Sequence, residues 1–145
     1  MKLDIHDIKT TEVLDWKGVH LFHFQGSACS QKLRIFLNYK NIDWVSHEVN
    51  LIKGDQFSEW YLGINPRGLV PTLVHNGDVH IESNDIMKYL DQEFPNTKLF
   101  PSNLINDIQK DLDYEDSLHF DLRRLTFRYL VPHILGKKDP KKIDF

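Results

Sequence analysis

The sequence predicts an α/β fold: a strand–helix–strand unit, a second helix, a hairpin and a third helix form one layer, and a helical segment follows. Three observations predict it. A run of β-formers, Val19-His20-Leu21-Phe22-His23-Phe24, ends at Gly26 and gives way to an apolar stripe at helical spacing. Asn76-Gly77 separates two short apolar runs and is the strongest two-residue hairpin signal in the chain. Beyond Pro101 the strand pattern stops, and apolar residues recur only at helical steps.

Taken in order, residues 1–18 are polar with scattered apolar positions and read as a loosely attached lead-in. The first strand follows from Val19. Ser27 or Ser30 then caps a helix in which Cys29, Leu33, Phe36, Leu37 and Lys40 share one stripe, with the lysine at its exit. Ile42 to Val49 alternates partly and predicts the second strand. Leu51 to Tyr61 is a shorter, less regular helical stretch, and Asn65-Pro66-Arg67-Gly68 is turn chemistry. Leu69 to Val74 predicts an apolar strand interrupted by Pro71, with Val79 and Ile81 on the return strand. Ser83 caps a helix carrying Ile86, Met87, Tyr89, Leu90 and Phe94, stopped at Pro95. Residues 19–93 thus form the α/β domain and 94–102 a linker. From 103 to 145, Leu104, Ile108, Leu112, Leu118, Leu122, Leu125 and Tyr129 predict one long helix or two consecutive ones, ending in a polar tail with Lys137, Lys138, Lys141 and Lys142.

Composition narrows the function. The 145 residues carry 18 Lys+Arg against 21 Asp+Glu, a formal charge of −3, which argues against a nucleic-acid-binding face. No apolar run approaches the roughly 18–20 residues that span a bilayer, so no membrane role is expected. A single cysteine, Cys29, forms no internal disulfide and makes a reducing, cytoplasmic setting the default. Eight histidines invite a metal, yet they include no i, i+4 helical pair, and His20 and His23 fall on opposite faces of a strand. No metal is expected.

Two features carry more chemistry. Pro71 sits inside an apolar run where a ladder donor is wanted; either a cis bond or an ordinary trans proline on an edge strand accounts for it. A cis bond would leave the backbone of Val70 free to pair with an extended ligand. Glu82-Ser83 opens a helix directly after a strand. Local chemistry reads this as an acidic neighbour and a cap. A ligand would instead place a carboxylate on the Ser83 hydroxyl and amide, and an ammonium on Glu82.

Strand, serine-containing turn, helix, Val-Pro before a hairpin, and Glu-Ser at a helix start together resemble the N-terminal domain of the cytosolic glutathione transferases, over residues 19 to about 100. Ser27-Ala28-Cys29-Ser30 with Lys32-Leu33-Arg34-Ile35 is similar to the serine–cysteine motif of the zeta class and of the related reductive dehalogenases. Asn50-Leu51-Ile52-Lys53, Asn65-Pro66 and Val70-Pro71-Thr72-Leu73 add to that likeness. Ala28 stands where zeta enzymes usually carry a second serine. The resemblance implies a thioredoxin-like domain (βαβ then ββα, a mixed four-stranded sheet) followed by a short, incomplete all-helical part. It implies glutathione as co-substrate and no metal. It gives Ser27 the hydroxyl that hydrogen-bonds the glutathione sulfur, Val70 the backbone pairing with the cysteinyl unit beside a cis Pro71, and Glu82 and Ser83 the γ-glutamyl end. Lys53 or Gln56 is assigned to the glycyl carboxylate by position. Cys29 competes as the nucleophile; its bland alternative is a small residue on the inner face of the helix, as that of Ser27 is a plain cap.

Three functions follow. The first is activation of the glutathione thiol for conjugation, isomerisation or reductive dehalogenation of a small electrophile. The second is a non-catalytic module of the same fold, and the third is a piece of a longer transferase. A homodimer suits all three, since an apolar helix face from Leu104 to Tyr129 needs cover.

Overall fold

In the computed structural model, residues 1–130 are described; the expected tail from Lys137 to Phe145 lies outside the described residues. The chain divides into two units, Met1–Leu99 and Phe100–Phe145.

In the first unit, four strands form one mixed sheet in the order β2-β1-β3-β4: β1 Val19–His23, β2 Trp44–Glu48, β3 Thr72–His75 and β4 Asp78–His80. Helix α1, Ala28–Tyr39, connects the parallel pair β1 and β2, while β3 runs antiparallel to β1 and β4. Short α2, Glu59–Leu62, precedes β3, and α3, Ser83–Glu93, follows β4. This is the expected α/β arrangement, βαβ then ββα. Asn76 and Gly77 both adopt positive φ, 52° and 88°, as a tight hairpin turn requires. A side chain at Gly77 would also overlap the Leu14 carbonyl.

Strand alternation sends Phe22 and Val74 to one face of the sheet, where they are buried with Val49, Tyr61, Ile64 and Val79. Leu21 and Leu73 point the other way, and Leu33, Leu37, Ile86 and Leu90 of the mutually packed α1 and α3 are equally buried. Each such side chain contributes roughly 1.5–3 kcal/mol of hydrophobic stabilisation.

Several expectations need correction. The lead-in is not loose: Ile8 and Val13 enter the core, and the Leu3 amide bonds the Val79 carbonyl at 2.8 Å. Its apolar residues sit on or beside two short 3-10 turns, Ile5–Asp7 and Thr11–Asp15, so neither helical nor strand periodicity betrays them. Strand β3 begins at Thr72, so Pro71 precedes the ladder instead of interrupting it. The buried stripe of α1 is Ser30, Leu33, Phe36 and Leu37, with Cys29 half-buried beside it. Ser83 is the first helical residue of α3; the cap position belongs to Glu82, which makes no side-chain capping bond. Lys40 stands at the C-terminal cap of α1, at the helix exit as expected, and is buried against Asp91.

The second unit contains α4, Ile105–Leu125, followed by a π-helical turn, Thr126–Leu130. It is one helix, with none of its residues buried. No helix among the described residues is long and apolar enough to cross a membrane.

Burial also sets an acid limit on stability. His80 is 5% exposed and stacks on Tyr89 at 3.8 Å. Burial, reinforced by the positive charges of Met1 and Lys2, pushes its imidazole down to about 4; burial likewise lowers His23 and His47. A histidine lowered in the fold takes its proton first in the unfolded chain. Its stabilisation is therefore complete above pH 6.5 and is lost as the pH falls toward about 4. Melting temperature should drop across that window, and His80→Phe, which keeps the stack without the titration, should flatten the drop. An unchanged slope would refute the assignment.

Candidate functional site

The sheet register brings the sequence-predicted residues to one end. Phe22 pairs with Thr72, and Leu73 with His80, so the chain leaving β1, entering β3 and leaving β4 all lie on the same side. Those three segments hold Ser27, Val70-Pro71 and Glu82-Ser83. Because β2 is parallel to β1, the stretch with Lys53 and Gln56 departs from that end too.

Ser27 is half-buried at the N-cap of α1, where its oxygen accepts from the Ser30 amide at 3.2 Å. Capping uses a lone pair of the hydroxyl and leaves its proton free to donate. The cap and an anion-binding role are thus compatible. The turn before it is pinned from two sides. The Ser30 hydroxyl accepts from the Phe24 amide at 3.3 Å, and Arg34 donates to the carbonyls of Phe24 and Gln25 at 3.2 and 3.3 Å. Arg34 also reaches Nδ1 of His23 at 3.1 Å, and Nε2 of His23 meets the Ser46 hydroxyl at 2.7 Å. Burial first, then the Arg34 charge, lowers the pKa of that imidazole, so it stays neutral and can accept from Arg34. Cys29 lies in the first turn of α1, two residues from Ser27.

Across the sheet, the Val70–Pro71 peptide bond is cis. Val70 is half-buried and Pro71 buried. The loop before them hangs on three buried polar residues that the sequence did not single out for a site. The Tyr61 hydroxyl donates to the Leu69 carbonyl at 2.6 Å and lies 2.9 Å from the Thr72 hydroxyl. The Asn65 amide donates to the same two groups at 3.0 and 2.9 Å. Burial raises the pKa of the Tyr61 phenol, which keeps it a donor. Partners four to eleven residues apart in a loop leave no periodic trace; only the Asn-Pro turn chemistry hinted at them.

Glu82 is exposed and holds φ at +67°, the left-handed region that non-glycine residues seldom adopt. Strain of that kind concentrates at functional positions. Ser83 is 8% exposed at the start of α3, an eleven-residue helix whose cap residue makes no side-chain capping bond. Oε1 of Gln56 is buried and lacks a hydrogen-bond partner, and the Gln56 carbonyl lies 3.1 Å from where a side chain on Gly68 would begin. Gln56 therefore borders the Asn65–Pro71 loop. Lys53 is exposed in the turn after Asn50, and no described contact ties it to the rest of the group.

A groove of this unit lies elsewhere, against α1 and α3 among Ile35, Phe36, Tyr39 and Met87. Glu115, Asp116 and His119 on α4 are the one described group of three possible metal ligands. They follow from i, i+1, i+4 spacing on an exposed helix.

The family profile described as "Glutathione S-transferase, N-terminal domain" matches residues 21–98. A "Glutathione S-transferase zeta class" protein of Euphorbia esula is 40% identical over 84 residues, covering 58% of this chain and 37% of the relative. "Maleylacetoacetate isomerase" of Mus musculus is 38% identical over 85 residues, covering 57% of this chain and 39% of the relative. Among solved structures, the β-etherase LigF from Sphingobium sp. strain SYK-6 superposes with a TM-score of 0.78 at 27% identity, covering 86% of this chain and 53% of that one. The matches span under two fifths of these curated relatives.

Proposed function

We propose that this chain, which belongs to the glutathione S-transferase N-terminal domain family, binds glutathione along the sheet end bearing Ser27, Val70-Pro71 and Glu82-Ser83, and holds its sulfur as the thiolate. One observation carries the reading: three segments far apart in sequence converge with a hydroxyl donor, the cis Val70–Pro71 backbone just ahead of β3 and a strained acidic helix start. In this reading the Ser27 hydroxyl donates to sulfur and Val70 pairs with the cysteinyl backbone. Glu82 takes the α-ammonium, and Ser83 at the N-terminus of α3 takes the α-carboxylate. Lys53 and Gln56 serve the glycyl end, where the orphaned Oε1 of Gln56 accepts an N–H.

The activated thiol then serves conjugation or isomerisation of a small electrophile, in keeping with the transferase and isomerase names of the relatives. Cys29 is the alternative nucleophile, suited to reductive dehalogenation. A homodimer in a cytoplasmic setting completes the proposal; exposed Leu118, Leu122 and Leu125 on α4 support the dimer. The second reading is a non-catalytic module of the same fold, for which the exposed apolar residues Leu118, Leu122 and Leu125 would serve a partner.

Glutathione titration of the 145-residue chain, followed by tryptophan fluorescence at several pH values, tests binding. Saturable binding that Glu82→Gln weakens is the expected result. Absence of binding at any pH would refute both readings, and binding without turnover of a generic electrophile would select the module.

A further inference from the structure

Two histidines from different strands meet on one face of the sheet. Parallel pairing sets His47 beside Phe22 and Val45 beside His20, so strand alternation turns all four side chains to the same face. Nδ1 of His20 lies 3.0 Å from Nε2 of His47, and both residues are half-buried. Each ring is held in place by other groups. Nε2 of His20 meets the Lys17 carbonyl at 2.9 Å. A carbonyl only accepts, so that nitrogen carries the proton, and Nδ1 of the neutral ring turns its lone pair toward His47. The His47 ring stacks on Trp16 and on Phe22, with centroids 4.9 and 4.7 Å away.

We infer that His20 and His47 form a binding site for a divalent transition-metal ion, Cu(II) above all. An imidazole that ligates a metal ordinarily gives its second N–H to a carbonyl or carboxylate, and the Lys17 carbonyl already serves His20 in that way. On binding, the ion takes the place of the proton between the rings. Nε2 of His47 gives that proton to water and Nδ1 takes one up, so both rings stay neutral and no net proton is released. The separation selects the ion. With metal–imidazole bonds of about 2.0–2.1 Å, donors 3.0 Å apart subtend about 90–97° at the metal. That is the cis angle of a square-planar or tetragonal ion, Cu(II) or Ni(II), and copper is the tighter binder. A tetrahedral ion such as Zn(II) wants the two donors about 3.4 Å apart. Water completes the coordination. Histidine spacing hides such a site, because the partner of His20 is not His23 on the opposite face but a residue 27 positions along the chain on β2.

The test titrates the full chain with Cu(II) alone and reads electron paramagnetic resonance, in a Cys29→Ser background that removes the thiol able to reduce the ion. One equivalent should bind with a superhyperfine pattern from two imidazole nitrogens, and Zn(II) should bind at least about tenfold more weakly. His20→Gln and His47→Gln should each weaken the copper by at least about tenfold and leave a one-nitrogen pattern. His119→Gln, which disables the Glu115–Asp116–His119 group on α4, should change nothing. A second measurement needs no histidine variant and so does not depend on their folding. Copper should shield His20 and His47 from acylation by diethyl pyrocarbonate, mapped by mass spectrometry, while exposed His6 still reacts. Loss of the copper in His119→Gln alone, Zn(II) binding as tight as copper, or an unshielded pair would each overturn the inference. None of these outcomes touches the glutathione reading.

Discussion

Ser27→Ala is expected to raise the pKa of bound glutathione's thiol by about 1–2 units, since a hydrogen bond to a charged group is worth roughly 1.5–3 kcal/mol and one unit is 1.36 kcal/mol. A free thiol has a pKa near 8.5, so only about 3% is thiolate at pH 7. The hydroxyl, with roughly 0.3–1 kcal/mol more from the N-terminus of α1, makes thiolate the major form. Removing the hydroxyl takes most of that away. Any rate limited by thiolate should fall roughly three- to twentyfold at pH 7, bounded by the about 3% thiolate an unassisted thiol keeps, and recover as the pH rises past the new pKa. The substitution also deletes the cap that accepts from Ser30, a separate loss of about 1 kcal/mol in stability. Ser27→Thr separates the two effects, because it keeps both the cap and the donor and should titrate like wild type. The readout is the ultraviolet absorbance of the bound thiolate across pH, which needs no electrophile. Cys29→Ala should leave the curve in place. A curve that shifts in Cys29→Ala and not in Ser27→Ala would transfer the chemistry to the cysteine.

Why Ser27 could be read from the sequence, and the pairing of Arg67 with Glu82 could not, is a matter of range. Ser27 follows a run of β-formers and precedes a helical stripe, so local rules alone place it at the start of α1. The same holds for Asn76-Gly77, whose positive φ angles are intrinsic to those residue types. Local rules misjudged the inner stripe by one residue, choosing Cys29 over Ser30, because Ser30 is buried for the bond it accepts from the Phe24 amide and not for its hydrophobicity. They also failed for Glu82, since nothing in a glutamate announces left-handed backbone. The Tyr61–Asn65–Thr72 network and the Arg67–Glu82 pair are contacts between loops, where no 2.0 or 3.6 period operates. The lead-in misled for the same reason: Val13 is fully buried, yet its neighbours Glu12 and Asp15 spell a solvated segment.

Lys40 is the sharpest case of a default overturned, and its substitution should have the largest effect on folding. A lysine at a helix exit is ordinarily solvated, and here its side chain is 1% exposed. Its ammonium lies 2.5 Å from Asp91 of α3 and donates to the Thr97 carbonyl at 2.6 Å. Asp91, 3% exposed, also accepts from the Leu99 amide at 2.8 Å. One buried pair therefore fastens α1, α3 and the chain that leaves α3. Removing a single partner strands a charge in a place water does not reach. Asp91→Leu, which orphans the ammonium, should cost about 3–5 kcal/mol, and Lys40→Met should cost a comparable amount by leaving the carboxylate and the Thr97 carbonyl short of a donor. The two losses should not add. Combined, Lys40→Met with Asp91→Leu replaces two desolvated charges by apolar side chains of similar reach, and a buried pair so replaced is often no less stable than the original. Denaturant unfolding of the four proteins measures this directly, with a midpoint for the double variant nearer wild type than either single one. Additive losses would mean that the two groups stabilise the fold through separate contacts, Thr97 for one and Leu99 for the other, and that their mutual attraction contributes nothing.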